Sequence, residues 1–205
     1  QFEYGVIDVL DLKNVDIKIL EYGKVLPMAG KAAFEAIEKV ISLAMDGQVD
    51  ATVTGPINKE SLNQAGYSYS GHTEIFADYT KTKKYTMFLV EGNMKVVHVS
   101  THVSLRRACE LVKKDRVFEV IKLADDVCKR LGFAEPAIGV AGLNPHSGEG
   151  GLFGDEEEKE IIPAIEHARS IGINADGPVS ADTLFSKVKG GQYHIGVAMY
   201  HDQGL

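Results

Sequence analysis

The sequence has little cysteine, no excess of positive charge and no long apolar run, and each shortage excludes a class of function. Its two cysteines, Cys109 and Cys128, form no CxxC pair and both fall in helical patterns. They read as reduced, buried fillers of a non-secreted chain rather than as a disulfide framework. Lysine and arginine total 22 against 29 aspartates and glutamates, a net charge of −7, and the basic residues are scattered. Such a chain offers no electrostatic footprint to nucleic acid or to an anionic membrane surface. No apolar run approaches the length of a membrane span, and no signal-peptide or lipidation pattern occurs, so no membrane partner is expected and the cytoplasm is the expected compartment. There is no internal repeat and no stretch rich enough in Pro, Gly or Ser to mark a domain boundary.

What is present suits a folded enzyme-sized unit. The 205 residues are 44% hydrophobic and 25% charged, enough for one sizeable core or two small ones. The sequence opens at Gln1 without a lead-in and stops at MYHDQGL, directly after an apparent core strand. Residues 1–205 therefore read as part of a single catalytic unit of a longer chain, with no subdomain boundary assignable.

Strand and helix signals alternate, the pattern of an α/β fold with a partly parallel sheet. Apolar residues at helical spacing predict a helix over 30–46, stopped by Gly47, with Ala33, Ile37, Val40, Ile41 and Ala44 on one face. VDATVT (49–54) reads as a short buried strand broken by Gly55-Pro56, and a short helix follows over 59–64. YTMFLVE and MKVVHVST read as strands joined by Gly92-Asn93, a hairpin spacing. Ser104 is a candidate helix N-cap. Asp115 opens a helix carrying Val117, Val120, Ile121, Ala124, Cys128 and Leu131 on its apolar face, ended by Gly132. AIGVAGL is a strand, 155–170 a helix that Pro163 should kink or restart, 181–188 a helix and HIGVAMY the last strand.

Three histidines stand in equivalent places on this map. His102 follows MKVVHVST, His146 follows AIGVAGL and His201 follows HIGVAMY. Each lies just past the carboxyl end of an apolar strand, where open α/β sheets place their ligand crevice. If the strands share a sheet and a direction, three neutral imidazoles can converge, and three such ligands with one open position describe a catalytic metal site. A lone loop histidine is more often a surface or hydrogen-bonding residue; the regularity of the three carries the argument. His98 within a strand, His167 on a helix and His194 at a strand start keep that ordinary reading.

The loop GLNPHSGEGGLFGDEEE around His146 resembles no phosphate cradle. GEGGLFG has the spacing GxGxxxG rather than GxGxxG, and it lacks GK[ST]. Asp155, Glu156, Glu157 and Glu158 complement the dipole of the following helix and would repel a phosphate. The glycines read as permission for a sharp turn that brings His146 towards something bound. In SGHTE, His72 and Thr73 precede an apparent helix and serve either as helix capping or as donors to a ligand. Lys59 is a solvated helix residue or an electrophilic amine; Asp182 is an N-cap or a carboxylate near the metal.

VTGPINKE, SGHTE, STHVSLR, AGLNPHSGEGG, GPVSADT and AMYHDQG together, in this order, resemble the 4-hydroxythreonine-4-phosphate dehydrogenase family, from about Pro27 to the last residue. That family includes the pyridoxal phosphate biosynthesis enzyme and relatives acting on 4-phospho-D-threonate or 4-phospho-D-erythronate. The resemblance implies a three-layer αβα fold like that of isocitrate and isopropylmalate dehydrogenases, with two subdomains around a central cleft, and a homodimer with an interfacial active site. It implies oxidation of a phosphorylated hydroxy acid by NAD or NADP, followed by loss of carbon dioxide, as in conversion of 4-phosphohydroxy-L-threonine to 3-amino-2-oxopropyl phosphate. By motif position His102, His146 and His201 match the family's ligands for a divalent metal such as zinc, cobalt or magnesium. His72 and Thr73 match a substrate-binding pair, and Lys59 and Asp182 become candidates for proton transfer. Family members are longer at both ends, so parts of the phosphate and nicotinamide sites are expected from segments outside this sequence. Three imidazoles on zinc could also activate water in a hydrolase, and a metal-stabilised binding module without turnover is a third reading.

Overall fold

The computed structural model describes residues 3–204, which form two compact units divided between Lys83 and Lys84. Cys109 and Cys128 are both free thiols; Cys128 is fully buried and Cys109 only half so, so one of the two is the core filler expected.

In the first unit, α1 spans Pro27–Met45, α2 Lys59–Gln64 and α3 His72–Tyr79. Helix α1 begins three residues before the expected start, because Pro27 occupies its first turn, where a missing N–H costs nothing. It buries Gly30, Phe34, Ile37 and Ile41, and the last three form a small core with Leu62 and Ile75. Tyr67 stacks on Phe34 with ring centres 3.7 Å apart. Gly30 is where α1 meets α2: a Cβ there would lie 2.1 Å from the Ser61 carbonyl oxygen. The strand expected over 49–54 is not formed; the segment has no neighbouring strand among the described residues, and Val53 is 96% exposed. Without a partner its N–H and C=O groups have no ladder to join.

The second unit holds a five-stranded sheet: β1 (Phe88–Glu91), β2 (Met94–His98), β3 (Ile138–Ala141), β4 (Ala175–Val179) and β5 (Ile195–Ala198), in the order β1-β2-β5-β3-β4. The β1–β2 hairpin turns at Gly92-Asn93 as expected and is the antiparallel edge; every other pairing is parallel. One face packs on α5 (Lys114–Arg130) and α6 (Ile162–Ser170), through Val97, Ile138, Val140, Val197, Ile121 and Ile165. The other packs on α7 (Ala181–Lys189), through Leu184 and Val188. This is the three-layer αβα arrangement, and burial on both faces explains why IGVA occurs twice as an unbroken apolar run. Ser104 caps α4 (Leu105–Leu111), accepting the Arg107 N–H at 3.3 Å. Helix α5 starts at Lys114, one residue before Asp115, and Leu131 is 52% exposed rather than on its buried face, since the helix stops one residue earlier. The expected disturbance near Pro163 takes the form of a π-turn over Glu157–Ile161, after which α6 restarts. No helix among the described residues is long and apolar enough to cross a membrane.

Candidate functional site

The carboxyl ends of β2, β5 and β3 lie side by side and point the same way, since β5 pairs in parallel with both neighbours. The loops leaving them carry His102, His201 and His146, so the sheet meets the condition on which convergence depends. The ladder continues past β2: Val99 N–H donates to Ala198 O at 2.8 Å, and Ser100 donates to Met199 O through N–H at 3.2 Å and hydroxyl at 3.0 Å. This brings the His102 and His201 rings to 5.4 Å between centres. Two imidazoles on one tetrahedral ion, with metal–nitrogen bonds of about 2 Å, stand roughly 5 Å apart, so the pair fits a shared divalent cation. Asp202 Oδ1 lies 2.7 Å from His201 Nδ1. That contact leaves Nε2 as the nitrogen available to an ion, with a carboxylate behind the ring, the usual support of a metal-bound histidine.

His146 is exposed on the adjoining loop and is not grouped with this pair: among the described residues, no three His, Cys, Asp or Glu side chains lie close enough to hold an ion. Its loop is unusual in backbone. Six consecutive residues have positive φ, at 51° for His146, 53° for Ser147, 79° for Gly148, 44° for Glu149, 65° for Gly150 and 87° for Gly151. Three of these are not glycine, and each costs about 1–2 kcal/mol, so the surroundings must impose the conformation. Glu157 supplies much of that restraint. Only 2% exposed, its carboxylate accepts the Leu143 and Asn144 N–H groups at 2.7 Å each and the Asn144 side-chain amide at 2.9 Å. Gln203, from the HDQG motif, ties the neighbouring strands together. Its Oε1 accepts the Met199 N–H at 2.7 Å, and its Nε2 donates to Gly142 O at 2.8 Å.

The other candidates fall as follows. Asp182 is exposed in the first turn of α7, past the carboxyl end of β4; Ser180 holds the N-cap position, so capping is not the role of Asp182. In the first unit Lys59 is the exposed first residue of α2. His72 opens α3, Thr73 beside it is exposed, and Gly71 stands at the N-cap without a side-chain bond, so neither caps the helix. His72 Nε2 is buried without a hydrogen-bond partner and lines a cavity of about 260 Å³ with Ala33, Ile37, Thr54, Gly55 and Pro56. A buried polar atom with no partner is expensive, and a ligand in that cavity would supply one.

The ordinary readings of the remaining histidines hold for two. His167 stacks on Phe118 at 4.0 Å, and His194 Nδ1 accepts the Ala137 N–H at 2.8 Å. His98 is fully buried with both ring nitrogens unpartnered, 6.3 Å from the His201 ring. Burial pushes its pKa below the ordinary histidine value, and the nearby His201 adds to the effect. Glu157 and Gln203 escape sequence reading: the first sits in a run of acids, and the second in a motif whose histidine takes the attention.

A three-layer αβα unit with polar loops gathered at the carboxyl edge of its parallel strands has the architecture of a small-molecule enzyme. The sequence profile of the pyridoxal phosphate biosynthetic protein PdxA matches residues 2–205, and the chain belongs to that family. A Clostridium botulinum protein provisionally named D-threonate 4-phosphate dehydrogenase is 50% identical over 205 residues, which are 100% of this chain and 61% of the relative. The crystal structure of 4-hydroxythreonine-4-phosphate dehydrogenase from Klebsiella pneumoniae superposes with a TM-score of 0.89 at 44% identity, over 93% of this chain and 58% of that one. A Salmonella typhimurium structure provisionally assigned the same activity gives 0.92 at 45% identity, over 100% and 63%. The chain thus spans about three fifths of the relatives it matches.

Proposed function

We propose that the protein of which this chain is part oxidises a phosphorylated hydroxy acid with NAD or NADP, and that the resulting keto acid loses carbon dioxide. The observation that carries the reading is the set of histidine-bearing loops on three adjacent parallel strands, two of whose rings already stand at the spacing of a shared ion. His102, His146 and His201 hold a divalent metal in this reading. A cation held there would supply Lewis-acid chemistry, favouring ionisation of a substrate hydroxyl and polarising a carbonyl.

The chain's own residues do the rest. Asp202 keeps His201 oriented, and Gln203 fixes the strand ends from which two of the loops depart. His72, through its unpartnered Nε2, and Thr73 beside it bind the substrate. Lys59 and Asp182, both solvent-accessible, are the groups able to move a proton. The GEGGLFG turn carries no dinucleotide fingerprint, and its Gly148 lies close against the Glu157 carboxylate, so this reading does not place the pyrophosphate there.

Two substrates fit the family names, 4-phosphohydroxy-L-threonine and 4-phospho-D-threonate, and the relative matching at 50% identity carries the second. The decisive assay uses the full-length protein, stripped of metal and resupplied with zinc, cobalt or magnesium. Absorbance of NADH or NADPH is followed with each substrate in turn. Metal-dependent cofactor reduction, lost in His146→Ala, is the expected result. Product formed without nicotinamide would favour a hydrolase. Metal uptake and thermal stabilisation without any turnover would leave a binding module. The family resemblance implies a homodimer with an interfacial active site, and in this reading the full-length protein sediments as a dimer.

A further inference from the structure

The run Asp155-Glu156-Glu157-Glu158 looks uniform in sequence, yet one member behaves differently from its neighbours. Asp155 and Glu158 are exposed and Glu156 half-buried, whereas Glu157 is enclosed. No lysine, arginine or histidine pairs with Glu157 among the described residues. A buried carboxylate without a cation persists only where hydrogen-bond donors replace water. Here all three donors belong to Leu143 and Asn144, the residues immediately before Pro145 and His146. The far side of the left-handed turn closes on the same group, for a Cβ on Gly148 would lie 2.7 Å from Glu157 Oε2. Glu157 therefore touches the chain on both sides of His146. Glu156 reinforces the near side, accepting the Asn144 amide at 2.7 Å. The π-turn beginning at Glu157 is the kind of local irregularity that recurs at functional sites.

We propose that Glu157 is a positioning residue for His146: its buried carboxylate imposes the left-handed loop that carries the imidazole. The inference rests on the reading of His146 as a ligand. It assigns Glu157 no contact with metal or substrate. A group that only stabilised the fold would be interchangeable with any change of equal thermal cost. A positioning group must keep both its acceptors and its reach.

The test uses full-length protein, freed of metal and titrated with cobalt(II) alone, in wild type, Glu157→Gln, Glu157→Asp, Glu157→Ala and His146→Ala. Affinity is read by chelator competition, geometry by the cobalt d–d absorption, and the metal-free melting temperature is taken for each. Glu157→Gln retains one oxygen for the two backbone N–H groups but sets an amide against the Asn144 amide. Its affinity should fall about 10-fold, with a changed spectrum and a metal-free melting temperature close to wild type. Glu157→Asp keeps the charge but withdraws it by one methylene, and should lose about 100-fold, the upper end for residues that support metal ligands. If Glu157→Ala does not fold, the Gln and Asp variants carry the comparison. Wild-type affinity and spectrum in both of them, with His146→Ala impaired, would overturn the positioning role and leave the ligand reading intact. Losses that merely track the melting temperature would also overturn it. Unimpaired cobalt binding by His146→Ala would overturn the ligand reading and the inference together.

Discussion

Replacing Gly30 by alanine sets two effects of known size against each other. Gly30 lies inside α1, where alanine is intrinsically better by about 1 kcal/mol. Against this, the new Cβ would lie 2.1 Å from the Ser61 carbonyl oxygen, 2.2 Å from its carbon and 2.7 Å from the Leu62 nitrogen. Non-bonded carbon contacts settle at about 3.5–4.0 Å, and the obstacles are backbone atoms of α2, so no rotamer relieves them. The two helices must separate by roughly 1 Å or more, loosening Phe34 and Ile37 from Leu62. Overpacking of this kind costs about 1–3 kcal/mol, and the rigid obstacle places it at the upper end. The net expectation is a loss of about 2 kcal/mol, or about 4–8 °C in melting temperature for a chain of this size. Circular dichroism melts, with hydrogen exchange at the α1 and α2 amides, measure both the loss and its location. Gly47→Ala is the control: φ is +68° and nothing lies within 4 Å of the added carbon, so it should cost only the about 1–2 kcal/mol of the left-handed backbone. A Gly30→Ala protein melting at or above wild type would refute the argument, because propensity would then have outweighed contact.

Gln203→Ala leaves the buried Met199 N–H and the Gly142 carbonyl without partners. A loss of about 2–4 kcal/mol is expected, measured by urea denaturation. Tyr193 has its pKa pushed up to about 12 by burial and by its hydrogen bond to Asp176. Its folded value exceeds the unfolded value near 10, so its contribution is intact below pH about 10 and is lost as pH rises towards 12. Tyr193→Phe should flatten the decline in urea midpoint over that window, and an unchanged slope would show that the tyrosine is not the group responsible.

The sequence yields the candidate site's outline more readily than its supports. IGVA followed by a loop histidine is visible because a strand buried on both faces must be continuously apolar, and the polar residue after it marks the edge of the sheet. The same logic misplaces 49–54, where VDATVT has a strand's composition and no partner to pair with. It passes over β4, whose ADGPV carries the Gly177 and Pro178 that normally argue against a strand; the strand survives because it lies at the sheet's edge, where an absent N–H is tolerated. Glu157 is hidden for a different reason. Which carboxylate of an acidic run turns inward depends on a π-turn, and that is decided by tertiary packing rather than by composition.

The order of strands has a consequence for how the molecule is made. Strand β5 lies in the middle of the sheet but is the last of the five in the chain, and it separates β2 from β3. Until residues 195–198 leave the ribosome, the nascent sheet is two halves with a gap where its centre belongs. Each half exposes an unpaired apolar edge, an invitation to aggregation. The His102–His201 pair joins residues about a hundred positions apart, as the Ser100–Met199 hydrogen bond with its separation of 99 shows. Closure of such long-range parallel pairings is slow. The edge that carries the histidine loops is therefore assembled in a single late step, when the last strand inserts and supplies both the sheet's missing centre and the second histidine.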